Sequence, residues 1–272
     1  MKPHQSAKQP THQQMTLVQL SDLHLTGSIG KSPSYQSTLQ ALEVIVKLQP
    51  QLILLTGDLV NDGNSDAYNW LFLQLKNTGI AHFAIAGNHD VTHEIGTGLP
   101  YHQRLHLPLT ADTRLLDCHR LAFDGINWQI LLLNSSLAGC THGALSQDTL
   151  AWLQSSLAQH PMPAIIALHH HPQAVGSAWI DAYMLSNHRA FWQIIEQHPH
   201  VHTIVCGHVH QVHQLHPLKN HRVQLLSCPS TDRQFLPFAH DFAIDKTASA
   251  GFRVIHIDNT SRLVSYIKSL DN

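Results

Sequence analysis

Apolar strand-like runs alternate with amphipathic helical segments along this 272-residue chain, and the alternation predicts an α/β fold. Two observations carry that prediction. Five short apolar runs stand out: TLVQLS, QLILLT, HFAIA, AIIAL and HTIVC. Each is followed at once by a polar cluster of Asp, Asn or His. Polar residues at the ends of strands in open α/β sheets share one rim, where ligands usually bind.

The elements follow in order. The first strand falls at about 16–21. A helix over Tyr35–Leu48 carries Leu39, Leu42, Ile45 and Val46 near helical spacing, and Pro50 cannot continue it. The second strand is at 51–56. A helix over Ser65–Asn77 puts Ala67, Trp70, Leu71 and Leu75 on one face, and Gly79 ends it. The third strand is at 82–86. The stretch from Val91 to Thr113 is rich in Gly, Pro and His and reads as a loop over the rim or a short helical excursion. Further strands are expected at 114–123, 129–134, 164–168, 202–206, 222–227 and 252–257. Helices are expected near 146–159, capped by Ser146, and near 187–197, capped by Ser186 or Asn187.

Composition narrows the function. A net charge of −2 with no basic stripe argues against a nucleic-acid partner. No run reaches the roughly 18 apolar residues of a membrane span. Residues 1–14 are polar, lack a signal-like apolar core and read as a frayed tail before one domain over 15–272. Four scattered cysteines without a CxxC spacing fit reduced thiols and a cytoplasmic location.

The five polar clusters are made of metal ligands. They read Asp22-Leu23-His24, Gly57-Asp58 with Asn61-Asp62, Gly87-Asn88-His89-Asp90, His169-His170-His171-Pro172, and Gly207-His208-Val209-His210. The candidate donors are Asp22, His24, Asp58, Asn88, His169, His208 and His210. Seven exceed the roughly four ligands of one tetrahedral ion. They suit two ions about 3.5–4 Å apart that share a carboxylate. Imidazole and carboxylate without thiolate suit Fe, Mn, Zn or Co. Taken singly, each motif has a plainer reading. Gly57-Asp58 and Gly87-Asn88 read equally well as turns, and HVHQVHQLH as an exposed strand face. Five in order, each at a strand end, point to one site. Cys206 belongs to the apolar run and is not a donor, while His213 and His216 are surplus. Trp128, Trp152, Trp179 and Trp192 read as packing residues, and Arg233 as a phosphate or base contact or a surface turn.

The order D-x-H, G-D-x-x-x-D, G-N-H-D, H-H, G-H-x-H resembles the calcineurin-like metallophosphoesterases. WQILLLNS, HGALS followed by LAWLQSSL, LHHHP, PHVHTIVCGHVHQ and PSTDRQF extend the resemblance to bacterial class III 3′,5′-cyclic-AMP phosphodiesterases, from about Leu17 to about Ile257. The resemblance implies a four-layer α/β/β/α sandwich of the metallophosphoesterase type. It implies hydrolysis of 3′,5′-cyclic AMP to 5′-AMP by a hydroxide bridging two ions, with Fe and Mn favoured and Zn, Co or Mg possible. It gives Asp22, His24 and His210 to the first ion, Asn88, His169 and His208 to the second, and Asp58 to both. It sets His89 at the substrate phosphate as a catalytic group, with His24, Asn88 and His210 alongside. Asp90 is expected to orient His89, and Asp62 to support the ligands. Strand alternation leaves His171 a weaker ligand candidate than His169 and turns His170 away unless the strand has ended. The implied partner is a small cyclic nucleotide, with no nucleic acid or membrane, and the implied state is a monomer or homodimer. A phosphomonoesterase, glycerophosphodiesterase or 2′,3′-cyclic nucleotide enzyme would use the same ligands, and a non-catalytic scaffold the same fold.

Overall fold

The computed structural model describes residues 13–61, 63–91, 112–137, 140–219 and 222–270. Side chains leave a strand on alternate sides, and here that alternation divides the apolar residues into three cores. In β1 (Gln14–Leu20), Leu17 joins an inner core while Val18 and Leu20 join an outer one. In β2 (Leu52–Thr56), Leu52 and Leu54 face inward, and Ile53 and Leu55 outward. In β6 (Ile126–Leu133), Trp128, Ile130 and Leu132 face the same inner core from the other side, and Leu131 and Leu133 a third core.

The first sheet has the order β14 (Leu263–Ser269), β13 (Gly251–Asp258), β1, β2, β3 (Ala81–Ile85), β4 (Leu115–Leu116). The second has the order β5 (Cys118–Phe123), β6, β7 (Ala164–Ala167), β8 (Val201–Cys206), β10 (Gln224–Ser227), β9 (Gln214–Leu215). Helices α1 (Pro33–Leu48) and α2 (Ser65–Asn77) bury residues in the first sheet's outer core. Helices α3 (Gln147–Gln159) and α5 (His188–Gln197) do so in the second's. The layers are α/β/β/α, as the resemblance implied. β1, β2 and β3 run parallel, and so do β6, β7, β8 and β10, so the carboxyl ends within each set share one rim. The sheets are tied near that rim by Gln19, which donates from Nε2 to the Cys206 carbonyl at 3.0 Å.

Several expectations need correction. The apolar run at 114–123 is not one strand. Leu115 and Leu116 pair with β3 in the first sheet, and from Cys118 the chain pairs with β6 in the second. No Gly or Pro marks the crossing at Asp117, so the run reads as continuous. The buried face of α1 comprises Ser34, Tyr35, Thr38, Ala41, Leu42 and Ile45, which leaves Leu39 and Val46 exposed. Trp70 is only partly buried on α2, and Tyr68 takes its place in the core. Gln14, read as tail, opens β1 and pairs with Asp258. Strands β9 and β14, the hairpin of β11 (Gln234–Phe235) and β12 (Ile244–Asp245), and the short α4 (Ala178–Asp181) escaped the sequence reading. Residues 1–12, Asp62 and most of the 91–113 loop lie outside the described residues. Among those described, no helix is long and apolar enough to cross a membrane.

Ser146 caps α3 as expected, its hydroxyl accepting from Thr149 N. Asn187 precedes α5, but its amide pairs with both backbone groups of Leu145. Trp128 is a core residue; Trp152 and Trp192 pack against the second sheet's outer core. All four cysteines are free thiols, with Cys206 and Cys228 buried.

Candidate metal centre

The candidate donors follow closely on five strands: Asp22 and His24 on β1, Asp58 on β2, Asn88 on β3, His169 on β7, His208 and His210 on β8. The backbone there is unusual. Asp22, His24, Asp58, His208 and His210 are all left-handed, at φ of 56°, 47°, 52°, 69° and 46°. Each such residue costs about 1–3 kcal/mol and survives only where its surroundings enforce it. Cross-loop hydrogen bonds supply that enforcement: Asp22 N to Gly57 O and His24 N to Asp58 O, both 3.0 Å, and Gly207 N to His169 O, 3.1 Å. The motif glycines serve close approach. A Cβ on Gly87 would overlap the carboxylate and backbone nitrogen of Asp58, and one on Gly207 would overlap Ser21 Oγ.

Two donor groups meet at Asp58. In the first, His210 Nε2 lies 3.3 Å from Asp22 Oδ1 and 3.0 Å from His24 Nε2. In the second, His169 and His208 have ring centroids 5.0 Å apart; Asn88, the residue after Gly87, is buried. Asp58 Oδ2 lies 3.4 Å from His169 Nε2 and 3.9 Å from His24 Nε2, so one oxygen faces both groups. Its other oxygen, Oδ1, accepts from the His89 backbone N–H at 2.8 Å. One donor atom from each of Asp22, Asp58 and His169 lie within 4.8 Å of one another.

Hydrogen bonds fix which ring nitrogens face inward. His169 Nδ1 donates to the Thr56 carbonyl at 2.7 Å, and His210 Nδ1 to the Arg233 carbonyl at 2.8 Å. A carbonyl only accepts, so each Nδ1 carries the proton and each Nε2 is the atom turned to the carboxylates. Among the described residues, Nε2 of His208 is buried with no hydrogen-bond partner, and Nε2 of His169 meets only the Asp58 carboxylate at 3.4 Å. Buried polar atoms are rarely left so, and a cation is a common reason. His24 is pushed down to about 3 by burial, then by His89 and His210. His208 is held well below its usual value by burial, then by His170 and His169. Both rings stay neutral, as a metal ligand must. Burial would raise Asp22 and Asp58, but the His210 charge beside Asp22 and the His169 charge beside Asp58 outweigh it and keep both ionised. Two carboxylates and several inward lone pairs in one buried space call for positive charge. The donor set fits metal ions.

The remaining motif residues separate. Strand β7 stops at Ala167, so alternation does not govern the triple histidine, and all three rings are buried. His170 spends both nitrogens on Ser135 Oγ and the Thr141 carbonyl, at 2.9 and 3.1 Å. His171 lies 3.2 Å from Asp181 and stacks against His208 at 5.7 Å. Asp90 does not occupy the place expected beside His89. Its carboxylate accepts from the backbone N–H groups of Leu59, Val60 and Gly87 and from the Tyr68 hydroxyl. His89 Nδ1 instead faces the Asn61 carbonyl oxygen at 3.1 Å. Burial and then Asp58 push Asp90 up to about 6.

Two contributors lie in motifs quoted from the sequence but were given no role there. Asn61 Oδ1 lies 3.3 Å from His24 Nδ1, and Phe235 stacks flat on His210. The PSTDRQF segment gave the only signal for Phe235. Arg233, read there as a ligand contact or a turn, holds His210 through its backbone carbonyl and is among the residues lining the cavity. That cavity, of about 350 Å³, opens beside His24, His89 and His210.

A four-layer sandwich with Asp, Asn and His gathered on one rim defines a metallophosphoesterase-type protein. Residues 15–212 match the calcineurin-like phosphoesterase family, and the chain belongs to it. It is 59% identical over 257 residues to a Moraxella catarrhalis protein named "probable cyclic nucleotide phosphodiesterase", covering 94% of this chain and 92% of that one. It is 34% identical to the 3′,5′-cyclic adenosine monophosphate phosphodiesterase CpdA of Escherichia coli K12, covering 90% of this chain and 86% of that one. Its fold is similar to a dimetal phosphatase from Danio rerio, with a TM-score of 0.62, 13% identity and coverage of 94% and 99%.

Proposed function

We propose that this protein is a dinuclear phosphodiesterase that hydrolyses 3′,5′-cyclic AMP to 5′-AMP. One observation carries the reading: Asp58 Oδ2 faces His169 Nε2 at 3.4 Å and His24 Nε2 at 3.9 Å, the position of a shared ligand between two sites. Asp22, His24, Asp58 and His210 would hold one ion, and Asp58, Asn88, His169 and His208 the other. When bound, such ions polarise phosphoryl oxygens and make hydroxide available at neutral pH. Iron and manganese suit the donor set. The relatives named for cyclic nucleotides support the substrate, since they align over nearly the whole chain.

The chain's own residues do the rest. The His89 backbone N–H fixes the bridging carboxylate. With Nδ1–H given to the Asn61 carbonyl, Nε2 is the ring nitrogen that His89 would turn to a substrate. His89 lines the cavity, and as imidazolium it donates to an equatorial phosphoryl oxygen or to the departing 3′-oxygen. We further propose that residues 15–272 act as one cytoplasmic domain, as monomer or homodimer.

The test is metal-reconstituted protein assayed against 3′,5′- and 2′,3′-cyclic nucleotides, a glycerophosphodiester and 4-nitrophenyl phosphate, with metal counted on the same preparation. The expected result is two ions per chain, activity lost with chelator, and 3′,5′-cyclic AMP preferred. Full activity with at most one ion sinks the dinuclear reading. Preference for the monoester sinks the diesterase reading.

A further inference from the structure

We propose that Phe242 is the platform on which the substrate's nucleobase stacks. The proposal rests on the cyclic-nucleotide reading above and adds the wall that reads the base. The hairpin of β11 and β12 stands at the rim, and Leu236, Phe238, Phe242 and Ile244 along it are all exposed. Single exposed apolar residues are ordinary, but four within nine residues beside a polar site need a partner.

Phe242 differs from the other three in where it stands. It lines the same cavity as His24, His89 and His210, so a ligand held at the metal centre meets it. Phe242 is 59% exposed, yet its ring is flanked by two others. Phe235 lies edge-on at 5.5 Å and Trp179 at 5.1 Å, at 69° and 82°. Phe235 lines the cavity too, but one face of its ring is taken by His210, parallel at 4.0 Å. The pair therefore divides the labour: Phe235 backs the metal centre and Phe242 offers a fixed π-face outward. The cavity, about 350 Å³, is within the usual range for small-molecule sites. Arg233 lines it too, its Nε held by Asp232 Oδ2 at 2.6 Å.

An aromatic platform accepts any base, because every base has a π-face. The site should thus favour a nucleotide over the bare sugar phosphate without demanding adenine.

The experiment compares 5′-AMP with ribose 5-phosphate by calorimetric titration of the metal-reconstituted full chain. Wild type should bind 5′-AMP more tightly. Phe242→Leu keeps an apolar side chain but removes the π-face. It should lose roughly 5- to 100-fold in 5′-AMP affinity and nothing for ribose 5-phosphate. Phe242→Trp should retain the 5′-AMP affinity. Equal affinities of the two ligands for wild type overturn the proposal. So does a Phe242→Leu variant, with unchanged metal content, that loses both ligands equally or neither. The functional reading is tested separately by turnover. Nucleobase binding through Phe242 without turnover of cyclic nucleotides would overturn the function and support the platform. Turnover with Phe242→Leu unaltered in 5′-AMP binding would do the reverse.

Discussion

The ring of Phe235 lies parallel to that of His210, with centroids 4.0 Å apart and planes 8° from one another. At its edge His210 gives its Nδ1 proton to the Arg233 carbonyl at 2.8 Å. Both contacts come from one late segment of chain, and together they set the ring's plane and tautomer. Orienting groups of this kind are commonly worth roughly 10–100-fold in metal affinity. Phe235→Ala should weaken one of the two ions by about that factor and spare the other. Titration against a competing chelator measures this. Two unchanged affinities would show the stack to be incidental.

Asp90 is a cross-link and not a partner of His89. Its carboxylate collects three backbone N–H groups, two from the loop after β2 and one from Gly87, plus the Tyr68 hydroxyl. Asp90→Ala would strand those donors in a buried space. The expected loss is on the order of 3–5 kcal/mol, with Tyr68→Phe costing about 1–3 kcal/mol. Thermal unfolding measures both. A melting temperature for Asp90→Ala within a degree or two of wild type, alongside slow turnover, would return Asp90 to the catalytic role.

Much of this architecture was legible because strand ends announce themselves. Apolar runs closed by Gly57-Asp58 and Gly207-His208 mark both the end of a strand and the place of a ligand. Neutral backbone glycine is needed there because the loops touch, as at Gly87 against Asp58. The illegible parts have equally physical causes. Leu115–Phe123 reads as one strand because hydrophobicity does not record which sheet a residue joins. The hairpin carrying Phe235 and Phe242 is two residues per strand, too short for a period to show. His170 and His171 follow the end of β7, where alternation no longer applies. The acidic neighbour of His89 in sequence is not its neighbour in space, since Asp90 turns toward Tyr68.

Metal binding should release a proton from His169. Burial acts against the charged ring, but the Asp58 carboxylate 3.4 Å away overcomes it and lifts the group to about 9. The folded value lies above the usual 6.5, so the metal-free protein gains stability from the charged ring below about pH 6.5. That gain is lost as pH rises through about 9. A cation takes the place of the proton, so apparent metal affinity should increase as pH rises toward 9. At pH 7.5, titration of weakly buffered metal-free protein with a pH indicator should detect about one proton released from this site. His169→Asn should release that much less. No difference between the two proteins would mean His169 does not hold the proton.

His89 should slow the chemistry when removed and leave the metals in place. Asp58 is oriented by the backbone N–H of residue 89, and an alanine keeps that group. The side chain, by contrast, faces the Asn61 carbonyl and lies edge-on to His24 at 4.9 Å, lining the cavity. His89→Ala should therefore retain wild-type metal content. Losing a general acid typically costs roughly 10²–10⁴-fold in turnover. The loss should depend on the leaving group. A ribose 3′-alkoxide needs a proton to depart, whereas a 4-nitrophenolate departs well without one. Cyclic AMP hydrolysis should fall further than bis(4-nitrophenyl) phosphate hydrolysis, and both rates can be read on one preparation. Equal slowing with metals intact would make His89 a charge clamp on the phosphoryl oxygens. Loss of an ion would make it a ligand, and the division of roles between His89 and the seven donors would fail.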